Sequence, residues 1–466
     1  MQRFAAIDLG ASSGRVMVGR VGPEELELTE AARFPNRPVM VNDGLHWSVL
    51  TLFSEALEAI AAASHEAEIS GIAVDSWAVD YGLLRQGSLL SVPYSYRDSR
   101  TERGLELVDA VISQPELYAR CGLQRMPFTT INQLSVDRER GMLELADTML
   151  MLPDLFNYWM TGRQAIERTN ATTTGMMRLD GSWDLELLEM LGIEPSLLPP
   201  LIDSGTVVGP LLPGVREHFG VHGDPQVYAV GSHDTASAVV AAPLASGAAF
   251  ISSGTWSLVG VETAHPITCA DAERANFTNE GGVDGRNRFM KNVMGMWLLS
   301  ESKRAWEAEG EGIELTELLR AAAEHDAEVP VFDATDEIFY APADMPAAIR
   351  GWFAARGIRP PEGKAAITRC ILESLADAYA RAIADIERIS GQRITQVNVV
   401  GGGSRNSLLC RLTARRTGVP VYAGPVEASA IGNLLVQARA AGVLSGSLAD
   451  LRDLVSRVYK PQRYDP

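Results

Sequence analysis

Lysine is almost missing from this chain. Only Lys291, Lys303, Lys364 and Lys460 occur among 466 residues, so arginine carries most of the positive charge. Acidic residues are in excess and the formal net charge is −18. A nucleic-acid binder needs a basic face to displace counterions, so this charge argues against that class. A phosphate-rich ligand would have to be held locally, by backbone amides, a metal ion and a few cations. Cysteine is scarce too. Cys121, Cys269, Cys370 and Cys410 are scattered and form no Cys-x-x-Cys, which fits thiols in a reducing cytoplasm better than a disulfide framework or a zinc site. No apolar run approaches the ~20 residues a membrane span requires. Met1-Gln2-Arg3-Phe4 leads directly into a strand-like segment without a signal-peptide pattern. The expectation is a cytoplasmic protein with neither membrane nor nucleic acid as partner.

Two nucleotide signatures are missing as well. Neither Gly-x-Gly-x-x-Gly nor Gly-x-x-x-x-Gly-Lys-Ser/Thr occurs, which disfavours a Rossmann dehydrogenase and a P-loop enzyme. What is present is a hydrophobic content of 46% and a charged content of 21%, the balance of a soluble globular protein. The length suggests ~2–3 domains.

The N-terminal segment Phe4-Ala5-Ala6-Ile7 reads as a strand that ends at Asp8-Leu9-Gly10-Ala11-Ser12-Ser13-Gly14-Arg15, and Val16 to Val21 reads as its return. The small residues make a loop whose amides can face a ligand, or an ordinary Gly/Ser hairpin. Ser48 to about His65 has helical periodicity. Ile69 to Val74 is a strand ending at Asp75-Ser76-Trp77-Ala78-Val79-Asp80, where two carboxylates and an aromatic face suit a sugar. The alternative is a strand turn with Trp77 in the core. Residues from Tyr94 to about Pro225 look like an insertion carrying substrate contacts. Within it, His218 and His222 have a helical spacing, but Gly220 and Gly223 argue for loop histidines over a metal pair.

At mid-chain, Gln226 to Val230 is an apolar strand followed by Gly231-Ser232-His233-Asp234-Thr235-Ala236 and a helix start. Asp234 is then either a helix N-cap or a carboxylate open to a cleft. Ser232, His233 and Asp234 are hydrolase residue types, but as chain neighbours, and no Gly-x-Ser-x-Gly elbow is present. Ala248 to Ile251, Ser252-Ser253-Gly254-Thr255 and Trp256 to Val261 then repeat the opening strand-loop-strand, which predicts a duplicated fold. Lys364 to about Ser390 is a long amphipathic helix closed by Gly391. Val397 to Val400, then Gly401-Gly402-Gly403 and a helix from Ser407, form a candidate anion site.

Taken together, these stretches resemble the FGGY carbohydrate kinases. The resemblance rests on Asp8 to Met17, Asp75 to Asp80, Tyr96 to Thr101, Thr169 to Thr174, Ser232 to Val239, Ser252 to Leu258, Phe277 to Gly282, Lys291 to Gly295, Val400 to Asn406 and Ala430 to Asn433, in the family's order. The Ser-His-Asp-Thr-Ala-Ser-Ala and Thr-Asn-Glu-Gly-Gly forms are similar to the branch acting on L-rhamnulose. The resemblance implies an α/β fold of two actin-like, ribonuclease-H-like domains, here 1–243 and 244–466, with the active site in the cleft between them. It implies ATP and Mg2+, a small-molecule sugar, and a monomer or small homo-oligomer. Asp234 would be the general base. Ala78, His233, Thr235 and Asn292 would join it at the sugar. Ala11, Ser12, Ser13, Gly14, Arg15, Thr255, Ser300 and Gly402 would hold ATP, and Asp8 would reach Mg2+ through water. Ala78 stands where the family has glycine, and Ser300 where a glutamine would contact ATP. The rival expectations are a kinase for L-fuculose or a pentulose, and an actin- or Hsp70-like ATPase.

Overall fold

The computed structural model describes residues 1–466, which pack as two compact units. The first comprises Met1–Ala241, Thr263–Phe289 and Ala428–Val458; the second comprises Ala242–Glu262, Met290–Glu427 and Tyr459–Pro466. One cut between residues 243 and 244 follows the covalent order, but the packing returns two later segments to the first unit. The second of these owes its place to a buried helix, Ala428–Ala440. A Cβ added at Gly432 would come within 1.8 Å of the Ser237 carbonyl oxygen, so glycine lets this helix lie directly on the helix Asp234–Ala241.

The first unit is built on β1 (Gln2–Leu9), β2 (Ser13–Gly22), β3 (Glu25–Pro35), β4 (Gly71–Ser76), β5 (Val207–Pro210) and β6 (Gln226–Tyr228). Their order in the sheet is β5-β6-β4-β1-β2-β3. β4 runs parallel to both β1 and β6, and the hairpin pairs β1–β2, β2–β3 and β5–β6 are antiparallel. Every residue of β4 is buried, as is Phe4 to Leu9 of β1, the burial expected of central parallel strands covered on both faces. The helix Val49–Glu66 carries the chain from β3 to β4, burying Leu52, Ala56, Leu57 and Ile60 as their spacing predicts.

The second sheet, most of it in the second unit, contains β7 (Ala248–Ser253), β8 (Trp256–Thr263), β9 (Asn287–Met294), β10 (Gln396–Val400), β11 (Val421–Ala423) and β12 (Gln462–Tyr464), ordered β9-β8-β7-β10-β11-β12. Here β7 pairs antiparallel with β8, β10 lies parallel to β7 and β11, and β12 closes the far edge antiparallel. Six of its seven strands repeat the order of the first sheet; the seventh, Thr278–Gly281, is an edge strand beside β9. The duplication expected from two small-residue hairpins is therefore present at the level of topology. The long helix Lys364–Ser390 ends at Gly391 in the left-handed region (φ 70°). Pro213–Phe219 forms a short helix that Gly220 (φ 74°) stops in the left-handed region, so His218 is helical, His222 lies beyond the stop, and the two do not share one helix.

Candidate active site

Within the first unit, the ladder sets two carboxylates side by side, and a turn bridged to its end brings a third. Asp8, near the end of β1, is paired in register with Asp75 of parallel β4 and with Arg15 of antiparallel β2. Arg15 donates to Asp8 Oδ2 from Nε at 2.9 Å and from Nη2 at 2.7 Å. Asp75 is fully buried; Asn433 Nδ2 donates to its Oδ2 at 2.6 Å, and Gln437 Nε2 holds the Asn433 amide oxygen at 2.7 Å. Burial, followed by the charge of Asp8, pushes the Asp75 carboxyl well above its ordinary range; Asp234 adds to the rise.

Asp234 arrives from the strand-turn-helix after β6. Ser232 O accepts from the Ser76 amide at 2.9 Å, which ties this turn to the end of β4. Asp234 is the first residue of its helix, and the amides of Ala236 and Ser237 bond to the His233 carbonyl oxygen instead of its side chain. The N-cap reading is thus corrected: the backbone before Asp234 satisfies the helix start, and the carboxylate is left for other work. Thr235 Oγ1 donates to Asp234 Oδ1 at 3.0 Å, and the side chain remains 31% exposed. Partial burial raises the Asp234 carboxyl, the neighbouring His233 opposes that rise, and Asp8 reinforces it.

The other residues of the expected sugar face divide. Trp77 and Asp80 are buried, and Asp80 Oδ2 accepts from Trp47 Nε1 at 2.6 Å, Trp77 Nε1 at 2.9 Å and the Tyr96 amide at 3.1 Å. Gln133 Nε2 takes its Oδ1 at 2.9 Å. Four donors on one carboxylate leave it little capacity for a sugar hydroxyl, so the expectation that Trp77 and Asp80 face the substrate is corrected. They are the buried clamp of the loop. Ala78 stays partly exposed. Beside it Val79 is held at φ 70°, with the Asp80 amide donating to Ala78 O at 3.0 Å, a tight turn that a β-branched residue adopts only under constraint.

Glycine and small residues fix the loop after β1. The Gly10 amide donates to Ser13 O at 3.0 Å and Asn36 Nδ2 to Gly10 O at 2.9 Å, whereas the Ala11 and Ser12 amides take no part in these turn bonds. A Cβ at Gly14 would lie 2.1 Å from the Phe34 ring, so that glycine is required by packing. In the second unit the equivalent loop is anchored from below. Gly254 O and Thr255 O accept from the amides of Met296 and Trp297 at 3.0 and 3.2 Å. A Cβ at Gly295 would meet the Trp256 carbonyl carbon at 2.6 Å. Gly401 and Gly403 press on Ser253, but nothing lies within 4 Å of a Cβ built at Gly402, and Gly402 is exposed. Asn292 is half-buried on β9 and Ser300 is exposed on the helix Trp297–Ala308.

Two residues escaped the sequence reading. Glu167, fully buried, accepts through Oε2 from the Ser232 amide at 3.1 Å, Ser232 Oγ at 2.9 Å, the Thr169 amide at 2.9 Å and Thr169 Oγ1 at 2.5 Å. Arg288, also fully buried, lies 3.2 Å from His233 Nδ1 through Nη2. Neither belongs to a motif with a local signature; only the fold brings them to the turn.

No three His, Cys, Asp or Glu side chains are grouped to chelate a metal unaided. The donors that are present, Asp8 with Asp75 and Asp234, offer oxygen and repel one another. Such a set fits Mg2+, which keeps several waters and uses one or two carboxylates together with substrate phosphates.

The N-terminal domain of the FGGY family of carbohydrate kinases matches residues 4–241 and its C-terminal domain matches 249–441. The chain belongs to the FGGY family of carbohydrate kinases. A rhamnulokinase of Bacteroides thetaiotaomicron is 38% identical, covering 100% of this chain and 96% of that protein. The Bacillus subtilis rhamnulokinase is 37% identical over 94% of this chain and 90% of its own length. Among solved structures, a ligand-bound xylulose kinase from Lactobacillus acidophilus superposes with a TM-score of 0.81 at 15% identity, over 100% of this chain and 94% of that one. Plasmodium falciparum glycerol kinase with ADP gives 0.76 at 13% identity, over 98% and 92%. At those identities the structures speak for the two-domain α/β fold. The kinase has no helix long and apolar enough to cross a membrane.

Proposed function

We propose that this kinase transfers the γ-phosphoryl group of ATP to the 1-hydroxyl of L-rhamnulose, giving L-rhamnulose 1-phosphate and ADP. The observation that carries the chemistry is Asp234: one carboxylate oxygen is held by Thr235, the side chain is 31% exposed, and its pKa is raised. A base of raised pKa is better matched to accept a hydroxyl proton near neutral pH. The substrate assignment is supported by the rhamnulokinase relatives.

As the 1-oxygen attacks the γ-phosphorus, its proton passes to Asp234 and the bond from that phosphorus to the β–γ bridging oxygen breaks, with ADP leaving. His233, Thr235, Ala78 and Asn292 would contact the sugar. Ala11 to Arg15, Thr255, Ser300 and Gly402 would contact ATP. The open surroundings of Gly402 support its part, because no protein atom explains the glycine there. Mg2+, held through water by Asp8, would supply the positive charge that phosphoryl transfer demands and that four lysines do not. Free cysteines throughout the chain agree with a cytoplasmic enzyme.

A panel of ketoses with ATP and Mg2+, read by ADP release, tests the reading. L-rhamnulose should give the highest kcat/KM. A higher value with L-fuculose or a pentulose would reassign the sugar, and equal ADP release without sugar would reassign the class.

A further inference from the structure

Val79 is the one β-branched residue of this chain held at positive φ; the other non-glycine cases are Gln86, Asn276 and Asp284. Asn and Asp visit that region readily, but a β-branched side chain there is an outlier. With φ at 70° and the Asp80 amide donating to Ala78 O at 3.0 Å, Val79 has the geometry of the rare, strained γ-turn. Such strain persists only where the surroundings over-determine it. Here they do so through the helix Thr130–Glu139. Thr130, fully buried, donates from Oγ1 to Val79 O at 2.7 Å. One turn further on, Gln133 Nε2 donates to Asp80 Oδ1 at 2.9 Å, and Arg100 Nη2 fixes that amide by donating to Gln133 Oε1 at 3.1 Å. On the near flank the Trp77 amide donates to Leu9 O at 3.2 Å, and its indole is held by Asp80. Both ends of the turn are thus anchored in the core, and between them only Ala78 and Val79 stay partly exposed. A glycine at 79 would make the same main-chain bonds without strain, but it would leave the turn free to take other shapes. A valine held by Thr130 leaves one shape.

We propose that Val79 and Thr130 are positioning residues for the sugar: the Thr130 hydroxyl holds Val79 in its strained turn, and the turn fixes Ala78 as a rigid wall of the sugar site. Strain is spent in the free protein so that the wall does not have to be ordered when the sugar binds. This deepens the reading of Ala78 as a sugar contact and rests on it.

The test is the KM for L-rhamnulose in the full chain, with kcat, KM for ATP and Tm measured alongside. Thr130→Val keeps the shape of the side chain and removes its donor; Val79→Gly removes the strain and frees the turn. Each should raise KM for the sugar ~10-fold while kcat and KM for ATP hold. Thr130→Ser keeps the hydroxyl and should keep the KM of the unsubstituted chain. Because both changes loosen one turn, the double variant should have a KM no higher than either single one; effects that multiply would overturn the proposal. An unchanged KM in Val79→Gly would overturn it as well, and that variant relieves strain, so its folding does not depend on the core tolerating a misfit. Ala78→Leu separates the proposal from the reading beneath it. If Ala78→Leu raises KM for the sugar and Val79→Gly does not, Ala78 lies at the sugar and the proposal alone fails. If Ala78→Leu leaves KM unchanged, the reading of Ala78 fails and the proposal with it.

Discussion

Glu167 Oε2 holds both the amide and the hydroxyl of Ser232, at 3.1 and 2.9 Å. Ser232 immediately precedes His233 and Asp234, so a residue far away in sequence sets the direction in which the carboxylate leaves its turn. Glu167→Gln would offer an NH2 group where the turn needs an acceptor. Misplacement of a reacting group by ~1 Å can cost about 10²-fold, so kcat for sugar phosphorylation should fall ~10–100-fold. ATP affinity, read by calorimetry, should remain. A variant with unchanged kcat would contradict this role.

The raised carboxyl of Asp234 gives a pH prediction with a definite sign. Acid protonates the base, so kcat/KM should fall about tenfold per pH unit below the Asp234 pKa. Because burial raises that pKa above its ordinary value of 3.8, the acid limb should begin above 3.8. Initial rates between pH 4 and pH 8 would check it, over conditions where circular dichroism shows the fold intact. A limb at or below the ordinary aspartate value would contradict the environment described for Asp234.

Asp80 predicts a stability effect instead. Burial raises its carboxyl to about 6 despite four donors. The folded value lies above the unfolded one, so this group's contribution is fully present below 3.8 and is lost as pH rises through about 6. Asp80→Ala should strand buried indole and amide donors and cost ~3 kcal/mol or more in urea unfolding. Asp80→Asn should flatten the pH slope of stability between pH 4 and pH 7. A slope equal to the wild type would contradict the shift.

The glycines before the helix Ser407–Thr417 should respond differently to the same methyl group. A Cβ at Gly403 would come within 2.0 Å of Ser253 Oγ, whereas the space at Gly402 is open. Gly403→Ala should therefore lower Tm, with ~1–3 kcal/mol of overpacking. Gly402→Val should leave Tm in place and raise KM for ATP. Thermal unfolding together with ATP kinetics separates the two, and an unaltered KM in Gly402→Val would remove Gly402 from the nucleotide site.

Much of the fold was legible because it rests on local signals. The period of Val49–Glu66, the Gly391 stop and the paired Gly/Ser hairpins all announce themselves within a few residues. Asp8, Asp75 and Asp234 were visible as carboxylates at strand or turn ends. What stayed hidden was long-range. Glu167 lies in a two-residue strand, Ile166–Glu167, with no periodicity to read. Arg288 carries no sign of a partner at position 233. Trp77 and Asp80 misled for the same reason: a tryptophan beside an acid looks alike whether it meets a sugar or another tryptophan, and only the fold supplies Trp47, Tyr96 and Gln133.

The central claim is that Asp234 takes the proton from the 1-hydroxyl of L-rhamnulose. Its most direct test is sugar-dependent ADP release by wild type and Asp234→Asn, with ATP, Mg2+ and L-rhamnulose saturating. The account predicts a loss of ~10²–10⁴-fold in kcat with ATP binding and Tm unchanged. An Asp234→Asn variant that kept most of the wild-type rate would contradict it.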